Sequence, residues 1–406
     1  MNLLLFECFS GGRYADQKLS SSILSEAYGM IRSLISDCKA AGHRVTTFMD
    51  SRLLPFSPAN EADKIVNVSS PYDLYKKLKE FSSLVDAVYV IAPESGQVLE
   101  KILETIEASG GTSLNCEIAT IKHFSNKIRA HETFKKIGLK VPETILPDIQ
   151  QKVGNIERLA EEMGYPLIFK PIDGFSCNGL SLVRNKNNIA GAVKKIAQES
   201  TSKQFVVQKM ITGEATSACV ISTGDKALAV SLNKQRVTLS PPEGESTYDG
   251  GVVPFNHNLE VEALKAAERA VEASIGMKGY VGVDMILTEE EPVVIEVNPR
   301  LTTSYIGLRR EANFNIADAI TDAVINRKLP TNVQHRGYTF FSKVEVPSYP
   351  EIVSEIYKLK DVVSPPFPVE ENTAYALIAS SSTSPKGAQS GFYHTKKRLL
   401  SFYGGD

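Results

Sequence analysis

Over the first 120 residues, short apolar runs alternate with stretches of helical periodicity. Leu3–Phe6, Arg44–Phe48, Lys64–Val66 and Ala87–Ala92 predict buried strands, and Leu24–Ala41 and Val98–Ala108 predict helices between them. Such alternation builds a mostly parallel sheet with helices on both faces, whose ligands sit beyond the carboxyl ends of its strands. Two loops leave such ends, Glu7–Arg13 (ECFSGGR) and Pro93–Gln97 (PESGQ). They make Glu7, Gly11, Gly12 and Ser95 candidate substrate contacts. Residues 125–137 predict a helix capped by Ser125 or Asn126 and stopped by Gly138. A small αβ unit follows: helix 156–163, strand PLIFKP, loop IDGFSCNG, strand LSLVR, helix 188–198 and strand Phe205–Gln208. From 213 the pattern gives strands at 215–222 and 226–233, a Pro/Gly-rich loop at 240–257, a helix at 260–275 and a hairpin at 280–298. The tail, 331–406, carries strands near Tyr338–Val346 and Ala374–Ala379 and a helix near Gly391–Phe402. The expected fold is α/β, in three parts: 1–120, 121–330 and 331–406.

A chain of 406 residues fits two or three domains. Lys and Arg number 45 against 47 Asp and Glu, so the basic excess of a nucleic-acid binder is missing. No apolar run approaches the ~20 residues of a membrane span, and the start, MNLLLFECFSGG, lacks a basic n-region. No membrane or nucleic-acid partner is expected; self-association into a homo-oligomer stays open. The five cysteines (8, 38, 116, 177, 219) are scattered without a CxxC pair, as expected of free thiols in a cytoplasmic protein. The six histidines show no zinc-ligand spacing.

Candidate chemistry concentrates in GYVGVDMILTEEEPVVIEVNPR, residues 279–300. Val281, Val283, Met285 and Leu287 alternate on one face of a strand, and Val293, Ile295 and Val297 on the next. The opposite face carries Asp284, Glu296 and Asn298. A turn at Thr288–Pro292 that pairs Leu287 with Val293 also pairs Asp284 with Glu296. Facing carboxylates repel, so one must take a proton or both must share a cation. Two carboxylates and an amide oxygen suit Mg²⁺, and Arg300 adds a positive fork two residues on.

FKPIDGFSCNGLSLV (169–183) contains GxxxxG, but no GK[ST] follows and the loop joins two strands, so it is not a P-loop. It fits instead a glycine flap whose backbone N–H groups cover phosphates, with Lys170 ahead of it. Lys127 sits early in its helix, where anions are favoured. QKMITGEATS (208–217) could form an adenine slot, with Glu214 accepting ribose hydroxyls. Cys177 has no histidine partner in the sequence. Pro241–His257 has the composition of a loop that folds over a substrate.

The order of these pieces resembles the ATP-grasp superfamily across residues 120–330, most specifically in D…ExNPR. The resemblance implies a Rossmann-like pre-ATP-grasp domain over 1–120, an ATP-grasp module over 121–330 with its lid at about 141–210 and its larger lobe at about 211–330, and a C-terminal extension over 331–406 packed on that lobe. It makes Lys127 and Lys170 phosphate lysines, and Gln208 (where many members have Glu), Lys209 and Ile211 the adenine hinge. Glu214 becomes the ribose acid. Asp284, Glu296 and Asn298 match the ligands of two Mg²⁺ ions, with Mn²⁺ as an alternative, and Arg300 steadies the acyl phosphate beside Lys170. FECFSGGRY, APES (92–95) and EVNPRLTTSYIGLR (296–309) resemble a subgroup that joins L-glutamate to tyramine. That implies an ATP-dependent carboxylate–amine ligase acting on small molecules through an acyl phosphate. Tyr248, Phe255, Ser304 and Tyr305 are candidates for its substrate pocket. The alternatives are another amino-acid ligase of the superfamily, a kinase that stops at a phosphorylated product, and a catalytically silent nucleotide-binding module.

Overall fold

The computed structural model describes residues 1–56, 61–172, 174, 177–200, 202–349, 351 and 354–404. The first four strands are β1 (Asn2–Glu7), β2 (Arg44–Asp50), β3 (Lys64–Val68) and β4 (Ala87–Ile91). They form a wholly parallel sheet in the order β3-β2-β1-β4. Helices cover both faces, which is why the strands are apolar at consecutive positions. Leu3 and Leu5 pack with Leu24, Ile31 and Leu34 of helix Ser21–Ala40. Leu4 and Phe6 pack with Leu74, Leu78, Leu99 and Ile102 of helices Pro71–Ser82 and Val98–Ala108. Because β1 and β4 are neighbours, the Glu7–Arg13 and Pro93–Gln97 loops leave the sheet side by side.

A short helix, Ile118–Phe124, precedes the helix expected at 125–137, which begins at Lys127. The cap is Asn126, whose Oδ1 accepts from the amides of Ile128 and Arg129 at 3.1 Å. Next come β5 (Thr144–Ile145), β6 (Leu167–Pro171), β7 (Ser181–Val183) and β8 (Phe205–Lys209). They form an antiparallel sheet ordered β5-β8-β6-β7. Helices Val153–Met163 and Ile189–Glu199 back it through Ile156, Ala160, Ile189, Ala192 and Ile196. Asp173, Phe175 and Ser176 of the expected flap lie outside the described residues.

The remaining strands are β9 (Glu214–Gly224), β10 (Ala227–Thr238), β11 (Thr247–Val253), β12 (Met277–Leu287), β13 (Pro292–Asn298), β14 (Tyr338–Pro347), β15 (Val362–Ser364) and β16 (Thr373–Ser382). One antiparallel sheet holds all eight, ordered β13-β12-β9-β10-β11-β14-β16-β15. The alanines at 263, 266, 267 and 270 let helix Glu260–Glu272 approach its apolar face. The tail strands therefore hydrogen-bond into the sheet of residues 214–298. Helix Ser21–Ala40 is tied to helix Tyr305–Glu311 at Asp37. There Arg309 Nε donates to Oδ1 at 2.9 Å, and the Tyr305 hydroxyl donates to Oδ2. Among the described residues no helix is long and apolar enough to cross a membrane, and the five cysteines form no disulfide.

The segment expected as a loop at 240–257 contains β11, a central strand. Its glycines misdirect a reading by composition, because here they permit close strand approach. A Cβ on Gly250, whose φ is +88°, would lie 2.1 Å from the Phe341 carbonyl oxygen, and one on Gly251 would lie 2.2 Å from that of Lys234. Gly250→Ala should therefore destabilise the protein by about 2–4 kcal/mol, read as a Tm drop of several degrees in a thermal melt. An unchanged Tm would contradict this strand placement.

Candidate active site

The hairpin β12–β13 sets the site. Thr288 closes its turn, the hydroxyl accepting from the amides of Glu290 and Glu291 at 3.2 and 3.0 Å, so Leu287 faces Pro292 and not Val293. A β-bulge between Asp284 and Met285 then absorbs one residue of β13 and restores the Asp284–Glu296 pairing. The extra residue turns Val294 into the core, where it is fully buried. Ile295, expected there, is half-buried and lines a cavity instead.

The two carboxylates have unlike partners. Among the described residues Asp284 accepts only from neutral amides, Gln235 Nε2 at 2.9 Å and Asn298 Nδ2 at 3.0 Å. Burial, and then the charge of Glu296, pushes its pKa up to about 7. Glu296 accepts from Lys127 Nζ at 3.0 Å. Burial opposes its charge as well, but Lys127 and Lys170 outweigh that and hold it down at about 2. Lys127 Nζ also donates to the Gly174 carbonyl at 3.2 Å. Lys170, on β6, is 7% exposed, and burial lowers it to about 8. Arg300 Nε donates to Glu94 Oε2 at 3.0 Å, and Nη1 to the Leu301 carbonyl at 3.2 Å.

Two cavities meet along Glu296, Asn298 and Arg300. The first, of about 230 Å³, runs over the sheet face between Asp284, Ser217, Gln235 and Tyr248 and the N-terminal elements carrying Glu7, Phe9, Ile23 and Met30. The second, of about 570 Å³, lies off β13 between Lys127 and the Glu94–Glu100 segment. Asp284, Glu296, Asn298 and Arg300 are thus brought together, with Glu7, Tyr248, Ser304 and Cys177 in the first cavity and Lys127 and Ser95 in the second.

Other candidates sit outside both linings. Gly11 and Gly12 shape the first loop, with Cβ positions that would meet Glu7 and Val68. The Glu7 carboxylate accepts from the Phe9 and Ser10 amides at 2.9 and 2.7 Å, and burial raises its pKa. Tyr305 is buried against Asp37, and Phe255 packs on His257 under Lys234 Nζ. The residues expected at the adenine hinge lie along the small sheet and the start of β9. Gln208 Nε2 donates to Thr144 Oγ1 at 3.0 Å, while Lys209 Nζ caps helix Val153–Met163 on the Met163 and Gly164 carbonyls. Ile211 is half-buried. Glu214 pairs with Lys234 at 2.5 Å. Sequence reasoning missed Gln235 and Glu94. The first is signalled only by the two-residue polar period of β10, whereas the second stands inside the PESGQ loop already singled out.

Among the described residues there is no cluster of three or more His, Cys, Asp or Glu side chains that could hold a metal ion. Two carboxylates and an amide are fewer donors than such a cage, but they match a cation that keeps waters and phosphate oxygens in its shell. The state of Asp284 supports the fit: a half-buried carboxylate that faces a second one and, among the described residues, holds only neutral donors is the group a divalent cation would restore to full charge.

Residues 124–304 match the family described as ATP-grasp domain, and residues 43–121 the one described as pre ATP-grasp 3 domain. A tyramine--L-glutamate ligase from Methanocaldococcus fervens is 26% identical over 339 residues, 83% of this chain and 99% of that protein. A D-alanine--D-alanine ligase from Fusobacterium nucleatum is 30% identical over 177 residues, 43% of this chain and 55% of its own length. Biotin carboxylase from Campylobacter jejuni superposes with a TM-score of 0.71 at 14% identity, over 100% of this chain and 95% of that one. N5-carboxyaminoimidazole synthase from Aspergillus clavatus does so with 0.67 at 16%, over 98% and 99%.

Proposed function

This chain belongs to the ATP-grasp superfamily, and from that premise we propose that it is an ATP-dependent ligase joining L-glutamate to tyramine. The observation that carries the chemistry is the facing pair Asp284 and Glu296, bracketed by Asn298, Lys127 and Arg300 where the two cavities meet. A carboxylate is a poor electrophile until its oxygen becomes a good leaving group. Phosphoryl transfer from ATP achieves that, and it depends on positioning and neutralised charge. Asp284, Glu296 and Asn298 would hold Mg²⁺, which supplies charge neutralisation at the phosphates. Lys127 and Lys170 carry further positive charge, and Gln208, Lys209, Ile211 and Glu214 line the adenosine side. Arg300 grips the substrate carboxylate and then the acyl phosphate that forms from it. The amine nitrogen attacks the acyl carbon, the carbon–oxygen bond to phosphate breaks, and the products are the amide, ADP and phosphate. The apolar lining at Phe9, Ile23, Met30 and Tyr248 suits an aromatic amine in the first cavity.

ADP release with Mg-ATP, over a grid of amino acids and amines, tests this reading. ADP should appear only when an acid and an amine are both present, with L-glutamate plus tyramine the strongest pair. Release without an amine would make the protein a kinase, and no release with any pair would make it a silent nucleotide binder.

A further inference from the structure

The second cavity is lined by two carboxylates that the mechanism above does not use, one buried and one half-buried. Glu100 is 2% exposed and stands in the first turn of helix Val98–Ala108. Its Oε1 takes one long bond, 3.4 Å, from Ser125 Oγ, and its Oε2 has no hydrogen-bond partner among the described residues. Glu94 spends Oε2 on Arg300, and its Oε1 is likewise buried with no partner among them. Both side chains line the cavity. A buried carboxylate oxygen without a donor costs roughly 1–3 kcal/mol or more, so two of them around one cavity point to a cation that belongs there.

We propose that Glu94 and Glu100 form an ammonium subsite for the amino group of the acid substrate, whose reacting carboxylate lies on Arg300. This rests on the ligase reading and deepens it, since it names the residues that hold the amino group of the donor. The charge pattern separates donor from acceptor. An attacking amine must lose its proton, whereas two carboxylates around a nitrogen hold it protonated and unreactive. The pair is therefore suited to a spectator ammonium. It also keeps the donor's own nitrogen from competing with the acceptor amine. Burial raises the pKa of Glu100 against the opposing charge of Lys122.

Binding of matched probes tests the subsite without turnover: L-glutamate against glutarate, L-aspartate against succinate, and L-alanine against propionate, by calorimetry with ADP and Mg²⁺ present. In the wild type the amino member of a binding pair should bind at least 10-fold tighter. In Glu100→Gln that preference should fall to about 2-fold, while the affinity for ADP and the Tm stay unchanged. Equal binding of both members by the wild type, a preference untouched in E100Q, or no binding of any probe would overturn the subsite. If E100Q fails to fold, the wild-type preference decides alone. A pair bound with the expected preference but never turned over with any amine would support the subsite and sink the ligase reading.

Discussion

Asp284→Asn is expected to lower kcat/KM by at least about a thousand-fold, some 4 kcal/mol of transition-state stabilisation. The substitution keeps the shape and one of the two accepted hydrogen bonds, from Gln235 or from Asn298, and turns the other oxygen into a donor. It removes the charge that a divalent cation would meet. Metal-free stability should not suffer much, because among the described residues Asp284 accepts only from neutral amides while it faces the charge of Glu296. The diagnostic is a thermal melt with Mg²⁺ and ADP. The wild type should gain stability as ligand is added, and the asparagine variant should gain much less. Near-normal turnover in D284N would refute the assignment of this residue to the metal.

Arg300→Lys should cost about 10²–10³-fold in kcat/KM for the acid while leaving the KM for ATP within a few-fold. The planar fork of Arg300 already spans Glu94 on one edge and the Leu301 carbonyl on another. A lysine carries the charge but cannot hold two partners in that fixed plane. The loss should therefore fall on the step that forms and consumes the acyl phosphate. If the KM for ATP rose instead, with acid kinetics unchanged, Arg300 would belong to the nucleotide.

What could be read from the sequence follows from which signals are local. The parallel sheet of β1 to β4 was legible because helices on both faces demand unbroken apolar strands, a pattern visible without knowing the neighbours. The site hairpin was legible as a pairing but not as a register. A turn one residue tighter than expected and a one-residue bulge between Met285 and Asp284 cancel at Asp284, so the right opposition comes with the wrong core residue, Ile295 in place of Val294. Strand β11 was hidden because glycine marks a turn and also marks a place where two backbones crowd, and only the neighbouring carbonyls tell these apart. The Glu94–Arg300 bond spans 206 positions of chain. No spacing rule reaches that far, even though both residues stand in segments that sequence reasoning had picked out.

The continuous eight-stranded sheet constrains how this enzyme can be shortened. A truncation after residue 330 would strip β14 from β11 and leave residues 251–253 without their partners on that side. An exposed row of that kind invites pairing between molecules. The last fifth of the chain thus covers an edge of the sheet that would otherwise be open to intermolecular pairing.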